Sequence, residues 1–309
     1  MATARENTLK DNTLQASKNT VKVSGFTIVR NVITYDYPVV ESILSILPLC
    51  DEFIVSVGRS EDDTRKLISM ISTDNMKILD SIWDDNLREG GKVLAIETNK
   101  AFAAVAPDSD WAFYLQADEV IHENDLPAIK AAMLKYKDDP EVEGLLFKYK
   151  HFYGSFDYIG TARQWYRKEI RVIKNDKSIS SYRDAQGFRK NGEKLKVKEI
   201  DATVYHYGWV KPPAAQQAKQ RSFHRMWHDD EWMKKNVPPV QEFDYSKIDA
   251  LEHFKGKHPG LMNSRIETSN WKFSFDPTKK QLSFLQRALM FIERRTGWRI
   301  GEYKNYKIC

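Results

Sequence analysis

Cysteine is almost missing from this chain: Cys50 and Cys309 are the only two among 309 residues. That excludes a disulfide scaffold and fits a reducing compartment. No apolar run reaches the ~18 residues that a membrane-spanning helix needs. The first twenty residues, MATARENTLKDNTLQASKNT, lack the apolar core of a signal peptide and read as a polar, flexible arm. The expected location is the cytoplasm. There is no long block of like charge and no zinc-finger or RNA-recognition signature, which argues against a nucleic-acid partner. Repeats and low-complexity tracts beyond that arm are absent as well.

What is present is the composition of a globular protein, 41% hydrophobic and 29% charged. The length suffices for a sizeable core. A formal net charge of +5 suits an anionic ligand or an acidic membrane surface without requiring either. From Val21, strands and helices alternate. KVSGFTIVRN reads as a strand, and Pro38 opens the helical stretch PVVESILSILPLC. DEFIVSVG is a second strand, and SEDDTRKLISMIS follows with acids suited to a helix start. MKILDSIW is a third strand, GGKVLAIETNKAFAAVA a helix, WAFYLQADEVI a fourth strand and DLPAIKAAMLKYK a helix. This alternation predicts βαβ units in an α/β fold with a mostly parallel sheet.

Beyond Glu143 the rhythm changes. EGLLFKYKHFYG, KEIRVIKN and KEIDATVYHYGW read as strands, the last two separated by a polar loop, DKSISSYRDAQGFRKNGEK. Pro212 and Pro213 break the chain before a helical segment from Ala214 to Lys235. The stretch 279–295 then places Leu282, Leu285, Leu289 and Ile292 on one helical face. The expected organisation is an arm at 1–20, an α/β part at 21–142, its acceptor-side continuation at 143–211 and a helical C-terminal extension at 212–309.

Chemistry concentrates at the end of the fourth strand. Charges are kept out of cores unless paired or bound to a cation, yet FYLQADEVI carries Gln116, Asp118 and Glu119 to the end of an apolar run. Ligands of open α/β sheets bind beyond the carboxyl ends of the strands, and a hard divalent cation seeks carboxylate oxygens. In an extended segment Gln116 and Asp118 point one way and Glu119 the other. Asp118 is then the ligand, and Glu119 a supporting or salt-bridging residue. A solvated strand end with helix-capping acids is the competing reading.

Arg30 and Asn31 close the first strand, and Lys92 follows Gly90-Gly91 at a helix start, where backbone N–H groups favour anions. All three are candidates for contacting a diphosphate, although Gly-Gly-Lys is no P-loop. His224 and His228 share a helix face, but without an HExxH glutamate they read as a polar surface. Trp165, Tyr166, Tyr207 and Trp209 suit stacking on a sugar ring and core packing equally well.

Across Val23 to Trp209 the sequence resembles the nucleotide-sugar domain of glycosyltransferase family 2, which has the GT-A fold. GFTIVRN is similar to the family's first strand, and DEFIVSVGRSEDDT to its second strand and Ser-x-Asp-x-Thr turn. DWAFYLQADEVI is similar to the strand that ends in the Asp-x-Asp metal motif, and RVIKN, the polar loop and YHYGW to the acceptor side. The resemblance implies a GT-A (Rossmann-like) fold with helices on both faces of the sheet. It also implies inverting transfer of a sugar from a nucleoside diphosphate donor to a glycan or lipid-linked acceptor, as in cell-envelope polysaccharide synthesis. It implies a divalent cation, Mn or Mg, on Asp118, with His206 as a further ligand. Donor contacts would come from Arg30, Asn31, Lys92, Gln116 and Asp118, and Asp184 in SYRDAQGF would be the general base.

Two departures stand out. Gln116 replaces the first Asp of the motif, which lowers the charge offered to a cation and leaves a metal-independent mode open. Ser56, Val57 and Gly58 stand where the family carries an acid that reads the base or ribose. The plainer readings are a turn-forming Asp184 and a packed His206, with Glu199 and Asp201 as alternative bases. A nucleotidyltransferase would need a Gly- and Arg/Lys-rich loop that VRNVITYDYP lacks. A non-catalytic nucleotide-sugar-binding module is the alternative that the two departures favour. The basic, amphipathic KKQLSFLQRALMFIERRTGWR suits peripheral contact with an acidic membrane, though the same stripe would dock a helix on a core.

Overall fold

The first, second and fourth strands are buried along their whole length and must be covered on both sides, which is why helices follow strands so regularly. The computed structural model describes residues 20–237, 239–278 and 280–309; of the arm expected at 1–20, all but Thr20 lies outside the described residues. In chain order come β1 (Val23–Val29), α1 (Val39–Ile46), β2 (Glu52–Gly58), α2 (Thr64–Met70), β3 (Met76–Ser81), α3 (Lys92–Ala103) and β4 (Trp111–Tyr114). The four strands pair in parallel in the order β3-β2-β1-β4. Phe53, Val55 and Val57 of β2 join one apolar cluster with Ile43 of α1 and Ile68 of α2, whereas Ile54 joins the opposite cluster with Phe26 and with Phe102 of α3. Successive strand residues thus serve opposite faces, and three layers result. Each such buried side chain contributes about 1.5–3 kcal/mol.

The second half adds β5 (Glu119–Ile121), α4 (Leu126–Tyr136), β6 (Gly144–Tyr153), β7 (Ser155–Gly160) and β8 (Lys168–Lys174). Strand β8 runs antiparallel between β4 and β6. After it come β9 (Ile179–Tyr182), β10 (Gly187–Lys190), β11 (Glu193–Lys194) and the long β12 (Lys196–Trp209), which runs parallel to β6 and antiparallel to β5. Among the described residues eleven strands share this sheet. The α/β class and the helices on both faces agree with expectation, and the parallel pairing is continuous from β3 to β4.

Three local readings change. WAFYLQADEVI is not one strand: β4 stops at Tyr114, the chain turns with Glu119 N donating to Gln116 O at 3.0 Å, and β5 resumes on β12. The polar loop holds β9, β10 and β11 as a separate small sheet. Its last reversal uses Asn191 and Gly192 at φ of 49° and 84°, a two-residue hairpin turn whose polar flanks hid it. Ala214 to Lys235 is two helices, α5 (Pro213–Arg225) and α6 (Asp230–Asn236), because the Asp229 side chain accepts from Trp232 N and starts the second.

The C-terminal part contains β13 (Leu251–His253), α7 (Asn263–Glu267), α8 (Phe284–Thr296) and β14 (Lys307–Ile308). Both strands return to the main sheet, on β7 and β12, so this part is not wholly helical. Helix α8 begins with a capping box between Ser283 and Gln286 and buries Met290, but Leu285 faces outward. Among the described residues no helix is long and apolar enough to cross a membrane.

Candidate active site

Strands β1, β2 and β4 end on one edge of the sheet, and the turn after β4 delivers Asp118 there. Asp118 is only 8% exposed. Its Oδ2 lies 3.2 Å from Lys219 Nζ and 3.6 Å from His206 Nε2. Burial opposes the charge, yet the neighbouring Lys219 and His206 hold this carboxyl well below the usual range. Lys219 Nζ also donates to Gly208 O at 2.8 Å, and Tyr207 N donates to Asp118 O at 2.8 Å. Strand β12 and helix α5 therefore grip the carboxylate from two sides. A Cβ on Gly208 would stand 2.6 Å from both Asp118 Oδ2 and His206 Nε2, so the close approach requires glycine.

His206 is aimed from behind. His151 of β6 lies opposite it in the sheet register. His151 Nε2 is 2.8 Å from Tyr166 O, and a carbonyl only accepts, so Nε2 carries the proton. Burial drives His151 well below the ordinary histidine value and keeps it neutral. Its Nδ1 then accepts from His206 Nδ1 at 3.1 Å. That leaves His206 Nε2 facing Asp118 Oδ2 at 3.6 Å.

Glu119 turns the opposite way. It forms a bidentate pair with Arg171, both N–O distances being 2.7 Å, and neither side chain is exposed. Arg171 Nη1 donates to Gln186 O at 2.9 Å, and Gln116 Nε2 donates to Ala185 O at 3.4 Å. The turn after β4 is thereby tied to loop 183–186, where Arg183 and Ala185 adopt φ of 54° and 61°. Non-glycine residues rarely take this conformation, and it concentrates at functional loops. Between them sits Asp184, whose carboxyl is pushed above its ordinary value by burial. It packs on Gly91, the left-handed residue capping α3: a Cβ there would come within 2.8 Å of Asp184 Cβ.

Asp118, His206, Gln116 and Asp184 thus belong to one connected region. Arg30, Asn31 and Lys92 have engagements of their own. Arg30 bonds both oxygens of Asp85, at 2.5 and 3.0 Å, and lies over the Trp83 ring. Asn31 is buried with φ 53° and accepts from Glu61 N at 2.8 Å, so it shapes the loop after β1. Lys92 is exposed and pairs with Glu89 at 2.8 Å. Trp165 stacks on His151 and Tyr166 meets its edge, so these two pack against the histidines, whereas Tyr207 stacks on Phe152 and Trp209 on Tyr153. His228 stacks on Trp232, and His224 lies tilted against the same ring. Glu199 and Asp201 pair with Lys168 and Lys148.

The residues that sequence reasoning missed are Lys219, His151 and Lys211. Lys211 is fully buried, donates to Tyr35 O at 2.8 Å and sits 4.1 Å from the Tyr37 ring centre. Burial, then Lys219, pulls it well below the ordinary lysine value. Local sequence offers no signal for either lysine, because both lie in a generally polar stretch. His151 becomes conspicuous only once the β6–β12 register is known.

A divalent cation finds a poor donor set here. Among the described residues no group of three or more His, Cys, Asp or Glu side chains is placed to hold one. Asp118 and His206 offer two ligands, Gln116 is turned to Ala185, and an ammonium already lies against the Asp118 oxygen.

No protein-family model matches the chain, and no curated protein does. Several solved structures overlap it in part. Residues 1–349 of TarS from S. aureus, also solved in complex with UDP, share 15% identity with a TM-score of 0.36, covering 65% of this chain and 64% of that one. Glucosyl-3-phosphoglycerate synthase from Mycobacterium tuberculosis, in complex with Mn2+, UDP and phosphoglyceric acid, shares 21% identity with a TM-score of 0.29, covering 45% of this chain and 46% of that one. The 4-diphosphocytidyl-2C-methyl-D-erythritol synthase from Anaerococcus prevotii shares 12% identity with a TM-score of 0.31, covering 50% and 72%. The chain spans less than two thirds of the first two proteins.

Proposed function

We propose that this chain is a glycosyltransferase that moves a sugar from a nucleoside diphosphate donor to an acceptor hydroxyl. The observation that carries the reading is the buried Asp118 carboxylate at the carboxyl ends of β1, β2 and β4, clasped by Lys219 and His206 and linked through Gln116 to the strained loop of Asp184. A donor lies naturally across such an edge. Ser56 Oγ and Trp83 Nε1, both buried and without partners among the described residues, supply polar atoms near the end of β2, where an acid is missing.

In the proposed reaction the acceptor oxygen attacks the anomeric carbon while the bond from that carbon to the diphosphate oxygen breaks. The electron pair leaves with the nucleoside diphosphate, and the acceptor proton passes to Asp184. A single displacement inverts the anomeric centre. A carboxyl raised by burial is a better proton acceptor than an ordinary one, which supports Asp184 in this role. The acceptor fitting this reading is a glycan or a lipid-linked sugar.

Calorimetry with UDP, GDP and dTDP, followed by turnover with the matching sugar nucleotides, tests the proposal. Asp184→Ala should bind nucleotide as wild type does and lose about 10²–10⁴ in turnover. Asp118→Asn should remain folded and lose transfer. An active Asp184→Ala variant removes that residue as base. Failure to bind any of the three nucleotides defeats the transferase reading. Release of pyrophosphate from a nucleoside triphosphate and a sugar phosphate would identify a nucleotidyltransferase instead.

A further inference from the structure

We infer that Lys219 supplies the positive charge that faces the donor diphosphate, so that nucleotide binding does not depend on a divalent cation. The inference rests on the transferase reading. Lys219 Nζ stands 3.2 Å from Asp118 Oδ2, against the same oxygen that His206 faces from 3.6 Å. A divalent ion bridging Asp118 and His206 would meet that ammonium at close range, and like charges in a largely buried site repel strongly. The ammonium is not adventitious in position. Gly208 O accepts from it at 2.8 Å, the Tyr37 ring centre lies 5.1 Å away, and Gly208 leaves the space that lets Asp118 and His206 close around it.

An ammonium has three donors, and among the described residues two of those of Lys219 are used, leaving one for a phosphate oxygen. Gln216, one turn earlier on the same helix face, is fully buried, and neither of its side-chain amide atoms is hydrogen-bonded among the described residues. Gln116 fits the same picture: with its side chain committed to Ala185 O, the second carboxylate that a metal would want is missing.

The test is calorimetric titration of the full chain with UDP, GDP and dTDP, each in EDTA and in Mn2+. Wild type should bind one of them with affinities in the two buffers that agree within about twofold. Lys219→Met should weaken that binding in EDTA by about tenfold to a hundredfold, the range of a charge-assisted hydrogen bond, and Lys219→Arg should keep most of it. Wild-type binding that vanishes in EDTA and returns with Mn2+ overturns the inference while leaving the transferase reading standing. No binding of any nucleotide in either buffer overturns both. Should Lys219→Met fail to fold, the wild-type comparison in the two buffers still decides.

A second inference comes from a different surface. The outward face of α8 is a docking surface for an anionic lipid bilayer, we propose. Phe284, Ala288, Phe291 and Arg295 recur at helical spacing on one side. Phe284 is 89% exposed and Leu285 67%, and Phe291 and Trp298 are exposed too. Exposed Arg287 and Arg295 flank them, Arg295 lying over the Phe291 ring, and Arg294, also exposed, pairs with Glu252 at 2.7 Å. The only acid of the helix, Glu293, is turned inward to Arg163 and Arg299, at 2.9 and 2.8 Å. An apolar stripe flanked by Arg287 and Arg295 matches the interface of an acidic membrane.

Sedimentation with vesicles of phosphatidylglycerol and phosphatidylcholine, against phosphatidylcholine alone, reads this out. The full chain should pellet with the anionic vesicles, be released by high salt, and lose at least tenfold in binding when Phe284 and Phe291 are both replaced by Ser. No pelleting, or equal pelleting with neutral vesicles, refutes the proposal. So does a concentration-dependent dimer that the double variant abolishes, since the face would then bind a second copy.

Discussion

At Glu169 burial outweighs the other influences on the carboxyl and pushes its pKa up to about 7. Asp118 shows the opposite outcome at similar burial, because cationic partners sit against it. The difference has a measurable consequence. Between the unfolded value near 4.3 and the folded value near 7, native Glu169 holds a proton that the unfolded chain has released. Its stabilising contribution is therefore complete below about pH 4 and is lost as pH rises through 7, by up to about 3 kcal/mol. Asn305 Oδ1, buried beside it and unpartnered among the described residues, is available to the protonated form after an amide flip. Urea unfolding at pH 5 and pH 8 should show Glu169→Gln to be less sensitive to this rise than wild type; identical pH dependence would show that Glu169 does not titrate in this window. None of this was legible beforehand, since an acid in KEIRVIKN looks like any strand-edge charge.

At the scale of elements, the turn between β4 and β5 decides the site. The apolar run and its terminal acids were readable, but the straight-strand reading put Gln116 and Asp118 on one side. The turn instead aims Gln116 at loop 183–186 and Asp118 at α5. The latch is Glu119–Arg171. Removing one partner of a buried pair strands the other, at about 3–5 kcal/mol. Arg171→Met should be destabilised by that amount in chemical denaturation, and the double variant Glu119→Leu with Arg171→Met by clearly less. A single-variant loss below about 1 kcal/mol would show that the pair does not act as a latch. Strands as short as β13 and β14 have no periodicity to read, so their return to the sheet could not be foreseen. The Asn191-Gly192 pair carries a hairpin signal of its own, which its polar flanking strands mask.

Across the whole molecule, the candidate site lies on the carboxyl edge of the parallel strands, while α8 turns an apolar and cationic side outward. The sequence by itself determined the alternating α/β core and the edge on which Asp118 falls. Two-sided burial leaves a local pattern in each strand and helix, and that pattern survives without coordinates. Only the tertiary structure decided what faces Asp118. Lys219 is 101 positions away, and His151, which sets the tautomer of His206, is 55 positions from it. Their meeting depends on strand register and helix packing, to which neighbouring residues in the sequence carry no clue. The missing second carboxylate was visible at Gln116; the cation standing against the remaining one was not.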